Sequence, residues 1–406
     1  MTGRPQIRLV RAIFMAALAG TTACSGAGAG DGRTIAIGLD LPLSGIDGSS
    51  AIPVRNAVRL AIEQANAAGL PGGFRLTLDD LDDSVQGKHD PAQGAQNMKS
   101  FVADSSVLAT VGPMNSNVAK AEIPITNAAG LVQVTMAATA IELTHPPDAV
   151  ALRPARPDQP SFFRVCASDD RQGGAAAAFA RAQGLKRAFV IDDNESYGKG
   201  LADVFAGAFP ADGGTVIGRE HLTPFAIDFK PLLTKIRAAG PDAIFFGGIV
   251  STGGAVLRRQ MADVGLAGVP YFGGDGLESP DYIPLAGAAA DGTFFTLASP
   301  NIELLPEARS FVRTYQARFG APPGSYSPSG FAAAQVAIAA IRAALGAHPE
   351  RPPTRDEVLA RVWALSGLVT PVGPVSFDHN GDLRRPVISL YRVRAGRVEF
   401  VRQGSV

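Results

Sequence analysis

Val107-Leu108-Ala109-Thr110-Val111-Gly112-Pro113-Met114-Asn115-Ser116-Asn117-Val118 passes from a short apolar run, through a polar loop, into a helical pattern that continues to Ala129. Five apolar or β-branched residues in a row suit a strand buried on both faces. Gly112 and Pro113 end it, and Ser116 or Asn117 offers a side chain to the first free amides of a helix. A strand that feeds a helix in this way is half of a βαβ unit, the building block of parallel sheets.

The same alternation runs outward in both directions. Upstream, Thr34–Leu41 and Phe74–Leu78 read as strands. Val54, Val58, Ala61, Ile62 and Ala65 mark one helix face, and Pro91–Ala103 is a second helix. Downstream, Leu131–Thr135 returns to strand. After Arg164 the rhythm restarts with helix Gln172–Gln183, strand Arg187–Ile191 and helix Tyr197–Phe209. Strands Thr215–Glu220, Ala243–Phe246 and Tyr271–Gly273 follow, with helices at Phe229–Ala239 and Thr252–Val264. The chain then changes character. Helices Glu307–Phe319, Pro328–Leu345 and Thr354–Leu365 come without strands between them, so they must cover a sheet already formed. Strands at Val375–Phe377, Val387–Arg394 and Arg397–Val401 close the sequence.

The expected fold class is therefore α/β, with two doubly wound parallel-sheet lobes joined by a hinge and both lobes discontinuous. The expected division is residues 33–164 plus 298–370 for the N-terminal lobe and 165–297 plus 371–406 for the C-terminal lobe. Open α/β sheets bind ligands beyond the carboxyl ends of their strands. Two such edges facing each other would make a cleft.

Bulk composition narrows the function. With 406 residues, 46% hydrophobic and 18% charged, the chain can bury large cores. Lys+Arg and Asp+Glu are equal at 37 each, which gives no electrostatic case for nucleic acid. Residues 1–23 read as a signal peptide: Arg4, Arg8 and Arg11 precede the short apolar run Ala12 to Ala19, and Ala23 precedes Cys24. A small residue before cysteine is what bacterial lipoprotein signals show, although Thr21 stands where a bulkier aliphatic residue is usual. Cleavage would leave a lipid-anchored Cys24, a flexible tether over 24–32 and a formal charge of −3 in place of 0. The other cysteine, Cys166, lies in an apolar stretch and reads as a buried thiol.

Candidate ligand-binding residues sit at the βα corners. Helix amides and the Ser116 hydroxyl suit an anion, although plain N-capping explains Ser116 equally well. Thr135-Met136-Ala137-Ala138-Thr139 is small and polar, as either a ligand approaching the backbone or a tight turn would require. Tyr197, in Asp193-Asn194-Glu195-Ser196-Tyr197-Gly198, could present its ring or hydroxyl to a cleft. Asp275 stands among glycines in what reads as a mobile, unshielded loop, and could meet an ammonium group or cap the next segment. The cluster Asp79, Asp80, Asp82 and Asp83 reads as solvated surface. Asp378-His379-Asn380-Gly381-Asp382 reads as a hairpin turn rather than a calcium loop. The five histidines are scattered without metal-ligand spacing, and neither a G-x-S-x-G elbow nor a Walker loop is present. No metal, cofactor or enzymatic activity is expected.

Taken together, these segments resemble the leucine/isoleucine/valine-binding proteins, which have the type I periplasmic binding protein fold. Pro42-Leu43-Ser44-Gly45 and Ala61-Ile62-Glu63-Gln64-Ala65-Asn66-Ala67-Ala68-Gly69 look like the opening PLSG and AxxxINAAGG segments of that family. Phe163-Arg164 with Ser168-Asp169-Asp170-Arg171-Gln172-Gly173 is similar to its FR…SDxxQG crossover. Ser196-Tyr197-Gly198-Lys199-Gly200 and Phe377-Asp378-His379-Asn380-Gly381-Asp382 resemble its YGxG and FDxNGD segments. The resemblance implies that Ser116, Ala137, Ala138 and Thr139 hold a ligand carboxylate and part of its ammonium. It implies that Asp275 pairs with the ammonium and that Tyr197 lines the opposite wall. It further implies a small amino-acid ligand, an ABC transporter permease as partner and an extracytoplasmic location. Ile249-Val250 and Ser49-Ser50 stand where the family often places aromatics, so the side-chain pocket departs from the pattern. A receptor for a non-amino-acid solute, such as an amide or aromatic acid, is the alternative.

Overall fold

The computed structural model describes residues 33–223 and 226–405; the stretches read as signal peptide and tether, with Cys24, lie outside them. The first sheet holds β1 (Thr34–Leu41), β2 (Arg75–Asp82), β3 (Val107–Val111), β4 (Val132–Thr135) and β5 (Phe162–Arg164) in the order β2-β1-β3-β4-β5, all parallel. Parallel strands need crossovers, and these supply α1 (Gly48–Ala67), α2 (Pro91–Ala103) and α3 (Ser116–Ala128). Local chemistry sets the helix ends. The Asp90 carboxylate accepts the Ala92 and Gln93 amides at 2.8 Å each, and Pro91 occupies the first turn of α2, where no amide is missed.

The second sheet holds β6 (Arg187–Asp192), β7 (Thr215–His221), β8 (Ala243–Gly247), β9 (Tyr271–Gly273), β10 (Thr293–Leu297), β11 (Val387–Arg394) and β12 (Arg397–Ser405). Its order is β12-β11-β10-β9-β8-β6-β7. β6 through β10 are parallel, whereas β11 and β12 are antiparallel, so this sheet is mixed. The cause is the chain's return: β11 enters from the hinge side, against the direction of β10, and a two-residue turn at Ala395-Gly396 sends β12 back beside it. Helices α4 (Asp169–Ala182), α5 (Ser196–Ala208), α6 (Lys230–Ala239) and α7 (Gly254–Asp263) accompany the sheet.

Three late helices, α8 (Ala308–Phe319), α9 (Ser327–Ala347) and α10 (Arg355–Trp363), attach to the first sheet. α9 packs along α1 and over β3 and β4, and α10 packs on α9. Among the described residues, α9 is the helix long and apolar enough to cross a membrane. It is instead a core helix: Phe331, Val336, Ile341 and Leu345 join Ile35, Ile37, Leu39 and Leu41 of β1 in one cluster. Each such side chain contributes about 1.5–3 kcal/mol by leaving water. Thr354 and Glu357 close a capping box at the start of α10.

Three segments connect the sheets, and they bond to one another. The Ala167 amide donates to the Ala298 carbonyl at 2.8 Å, and the Arg164 amide to the Gly381 carbonyl at 3.0 Å. Asp378 to Asp382 form a tight turn, with the Asp378 amide on the Asp382 carbonyl at 2.8 Å. The acidic cluster is not uniformly solvated: Asp79 is exposed, but Asp83 is fully buried. The chain doubles back after β2 into the small hairpin Ser84–Val85 with Lys88–His89, which draws Asp83 beneath it.

Candidate functional site

A cavity of about 70 Å³ lies between the carboxyl edges of the two sheets, lined by residues of both. On the first-lobe side, β3 is followed by Gly112, whose φ of +119° suits only glycine; a Cβ there would stand 2.1 Å from the Asp40 carbonyl. That close approach presents Met114, Asn115, Ser116 and Asn117 to the cavity. Ser116 is the first residue of α3 and does not cap it. Its Oγ accepts the Ala140 amide at 3.2 Å, so its own proton remains available to a ligand oxygen.

Thr135 Oγ1 donates to the Pro113 carbonyl at 2.6 Å and accepts the Ala138 amide at 3.0 Å, binding the β3 and β4 corners side by side. Ala137 borders the cavity. Ala138 and Thr139 are fully buried behind it, and the Thr139 carbonyl accepts the Asp169 amide at 3.0 Å. The small residues of this corner thus serve a tight turn and the seam with the crossover.

On the second-lobe side, Asp275 opens a short 3₁₀ turn, Asp275–Leu277, and is only 3% exposed. The expectation of a mobile, unshielded loop is overturned. Glycines here admit neighbours: a Cβ on Gly274 would lie 2.4 Å from Leu201 and 2.5 Å from the Tyr197 hydroxyl. Asp275 Oδ1 accepts the Tyr197 hydroxyl at 2.8 Å and Gln172 Nε2 at 3.0 Å. The Tyr197 oxygen accepts the Gly276 amide at 2.9 Å, and Gln172 Oε1 accepts the Thr296 hydroxyl at 3.0 Å. Burial pushes the Asp275 carboxyl up to about 6, against the pull of Gln172 and Tyr197. Among the described residues, no lysine or arginine lines the cavity. A buried carboxylate with neutral donors alone still lacks a counter-charge, and a ligand ammonium would supply it.

Ser116, Ala137, Tyr197 and Asp275 are thus brought to one cavity. Several lining residues escaped the sequence reading. Tyr326, at the entry to α9, crosses from the first lobe and donates its hydroxyl to the Asp275 carbonyl at 2.6 Å. Ser325 Oγ donates to Glu278 across the same gap. Asp47 and Glu195 also line the cavity, beside Ile249 and Val250, the pair that the sequence already assigned to the side-chain pocket. Gln172 lies within the quoted crossover segment, so its polar helix position was the signal available for it.

Beside the cavity, the hinge is fastened by Arg164, which has no exposed surface. Its Nε meets Asp382 Oδ1 at 2.7 Å and its Nη1 the Ala140 carbonyl at 2.8 Å. His145 Nε2 lies 2.9 Å from Asp382 Oδ2. Burial opposes the charge on Asp382, but Arg164 and His145 hold its carboxyl well below the usual range. Burial pushes the Cys166 thiol up, so it is a poor nucleophile.

Comparison with known proteins agrees with this geometry. Residues 34–397 match a family model described as periplasmic binding protein. The Leu/Ile/Val-binding protein BraC3 of Rhizobium johnstonii is 30% identical, over 90% of this chain and 93% of the relative. An amino acid binding protein of Pseudomonas aeruginosa is 28% identical, over 86% and 87%. Among solved structures, the leucine binding protein LivK of Thermotoga maritima aligns with a TM-score of 0.78 and 25% identity, covering 91% of this chain and 98% of that one. A solute binding protein of R. palustris in complex with benzoate shares the fold, with a TM-score of 0.76 and 21% identity over 92% and 96%.

Proposed function

Because this chain belongs to the periplasmic binding protein family, we propose that it captures a small amino acid, branched-chain or similarly aliphatic, in the cleft between its lobes. The observation that carries the reading is the cationless carboxylate of Asp275 across one cavity from Ser116 and the start of α3. A zwitterion has a pole for each: carboxylate to the Ser116 hydroxyl and the helix amides, ammonium to Asp275. Met114, Ile249 and Val250 give the side chain apolar surface. Relatives named for leucine, isoleucine and valine support the same ligand class.

Capture proceeds by hinge closure. The ligand docks on the Ser116 wall, and its contacts with Asp275 and Tyr197 exist only when the lobes meet, so binding shifts the population to the shut form. The lobes are residues 33–164 plus 298–370 and 165–297 plus 371–406; the two sheets and the bonded crossovers support this division in outline, while the pairing of Gly373–Val375 with Leu368–Thr370 and the packing of Val375 and Phe377 in the first-lobe core put the last crossover after Phe377. The shut form delivers its ligand to an ABC transporter permease outside the cytoplasm. Cys24, after cleavage of residues 1–23, carries the lipid that anchors the protein to the membrane; the three arginines, the short apolar run and Ala23 support this.

A thermal-shift panel of amino acids, amides and aromatic acids tests the reading, since tight binding raises Tm by mass action. An aliphatic amino acid should give the largest rise. A rise with benzoate and none with any amino acid would transfer the assignment to an aromatic-acid receptor. The fold shared with the benzoate-bound protein makes that the natural rival.

A further inference from the structure

His89 ends the small first-lobe hairpin with its side chain only 4% exposed, and it stands between carboxylates from opposite lobes. Its Nδ1 lies 3.0 Å from Asp47 Oδ2, in the segment before α1. Its Nε2 lies 2.9 Å from Glu195 Oε2, immediately before α5 in the second lobe. Ionised carboxylates only accept hydrogen bonds, and a neutral imidazole has one N–H. Serving both partners requires both ring nitrogens protonated, an imidazolium. Asn117 Nδ2 adds a second first-lobe donor to the same Glu195 oxygen at 3.3 Å.

We propose that His89 is a positioning residue for closure: a first-lobe imidazolium that clamps Glu195 of the second lobe and sets how long the cleft stays shut. The proposal rests on the reading that the lobes open and close. When they part, Glu195 leaves and His89 keeps Asp47 alone, so the two-sided ion pair exists only in the shut state.

The titratable groups facing His89 are Asp47, Glu195 and Asp83, the last buried at the start of the same hairpin with both carboxyl oxygens unpartnered and held well above the usual carboxylate range by burial. Burial disfavours the imidazolium, but its bonds to Asp47 and Glu195 outweigh that and raise it to about 10. A group whose pKa is raised in one state stabilises that state below the raised value and ceases to do so as pH climbs through it. The clamp is therefore in force at pH 7 and fades toward pH 10.

The test is energy transfer between dyes on Val150→Cys and Ile227→Cys, exposed positions in the first and second lobes, in the full chain carrying Cys24→Ser. Without ligand, the ratio of shut to open molecules should fall as pH rises from 7 to about 10. His89→Gln should lower that ratio roughly tenfold at pH 7 and flatten the profile, the weight of a charge-assisted hydrogen bond. Glu195→Gln should flatten it too, while circular dichroism shows both variants folded. Wild-type ratios and a wild-type pH profile in both folded variants would overturn the clamp. Because no ligand enters this measurement, failure of the amino-acid assignment would show separately, in the thermal-shift panel.

Discussion

Asp275 in the cleft and Asp382 at the hinge are both buried carboxylates, and their surroundings differ in one respect. Asp382 meets the guanidinium of Arg164 at 2.7 Å and the imidazole of His145 at 2.9 Å. Asp275 meets a phenol and an amide, both neutral. The fold completes the charge at the hinge and leaves it incomplete in the cleft. A completed pair fixes two crossing segments, those of Arg164 and Asp382, in place, whereas an incomplete one costs stability until a ligand arrives. The difference separates a structural carboxylate from a binding one with no reference to sequence motifs.

The largest expected effect breaks the completed side. Arg164→Met strips the cation from Asp382 and leaves its charge buried, which should cost about 3–5 kcal/mol in denaturant unfolding. On the incomplete side the same kind of change should act oppositely on stability. Asp275→Asn removes an unpaired buried charge, so the ligand-free protein should unfold at no lower denaturant concentration. Calorimetry should nevertheless show affinity for the best amino acid falling by about a hundredfold, roughly 2–3 kcal/mol, the worth of a lost charge-assisted bond.

Proton linkage sharpens the contrast. Asp275 titrates near 6 in the folded chain against an ordinary 3.8, so the native state holds more protons there than the unfolded one. Its share of stability should decline as pH rises from about 4 to 6. An ammonium ligand prefers the ionised form, so affinity should climb over the same window and level off above it. Asp382 has the opposite sign: its depressed folded pKa gives stability present above 3.8 and lost as pH falls below it. The smallest effect is at the bond that steadies Asp275. Tyr197→Phe removes one donor to the carboxylate and the acceptor for the Gly276 amide, and should weaken binding roughly fivefold in the same calorimetric titration.

How much of this could be read from residues alone follows from the range of the interactions. Strand-to-helix alternation is local, so the parallel sheets and the corners at Ser116, Tyr197 and Asp275 were legible. The return of Val387–Arg394 antiparallel to Thr293–Leu297 was not, because nothing in the β pattern of a strand encodes its direction. The environment of Asp275 was misread for a physical reason. Glycines beside a carboxylate signal either freedom or close approach, and only the packed Leu201 and Tyr197 decide between them. Asp83 looked like surface because its burial depends on a hairpin of two-residue strands, too short to show periodicity. Gln172, Tyr326 and Glu195 reach partners 51 to 106 residues away, beyond any local pattern. His89 had no motif at all; its meaning lies wholly in which two acids flank it.

The most direct measurement compares the amino acid that raises Tm most with the same molecule lacking its amino group, titrated into wild-type protein and into Asp275→Asn. Removing the amino group should cost the wild type most of its affinity and cost Asp275→Asn little, because the ammonium and the carboxylate act as one pair. Equal losses in both proteins, or a deaminated ligand that binds the wild type as tightly as its parent, would contradict a cleft built to grip a zwitterion at Asp275.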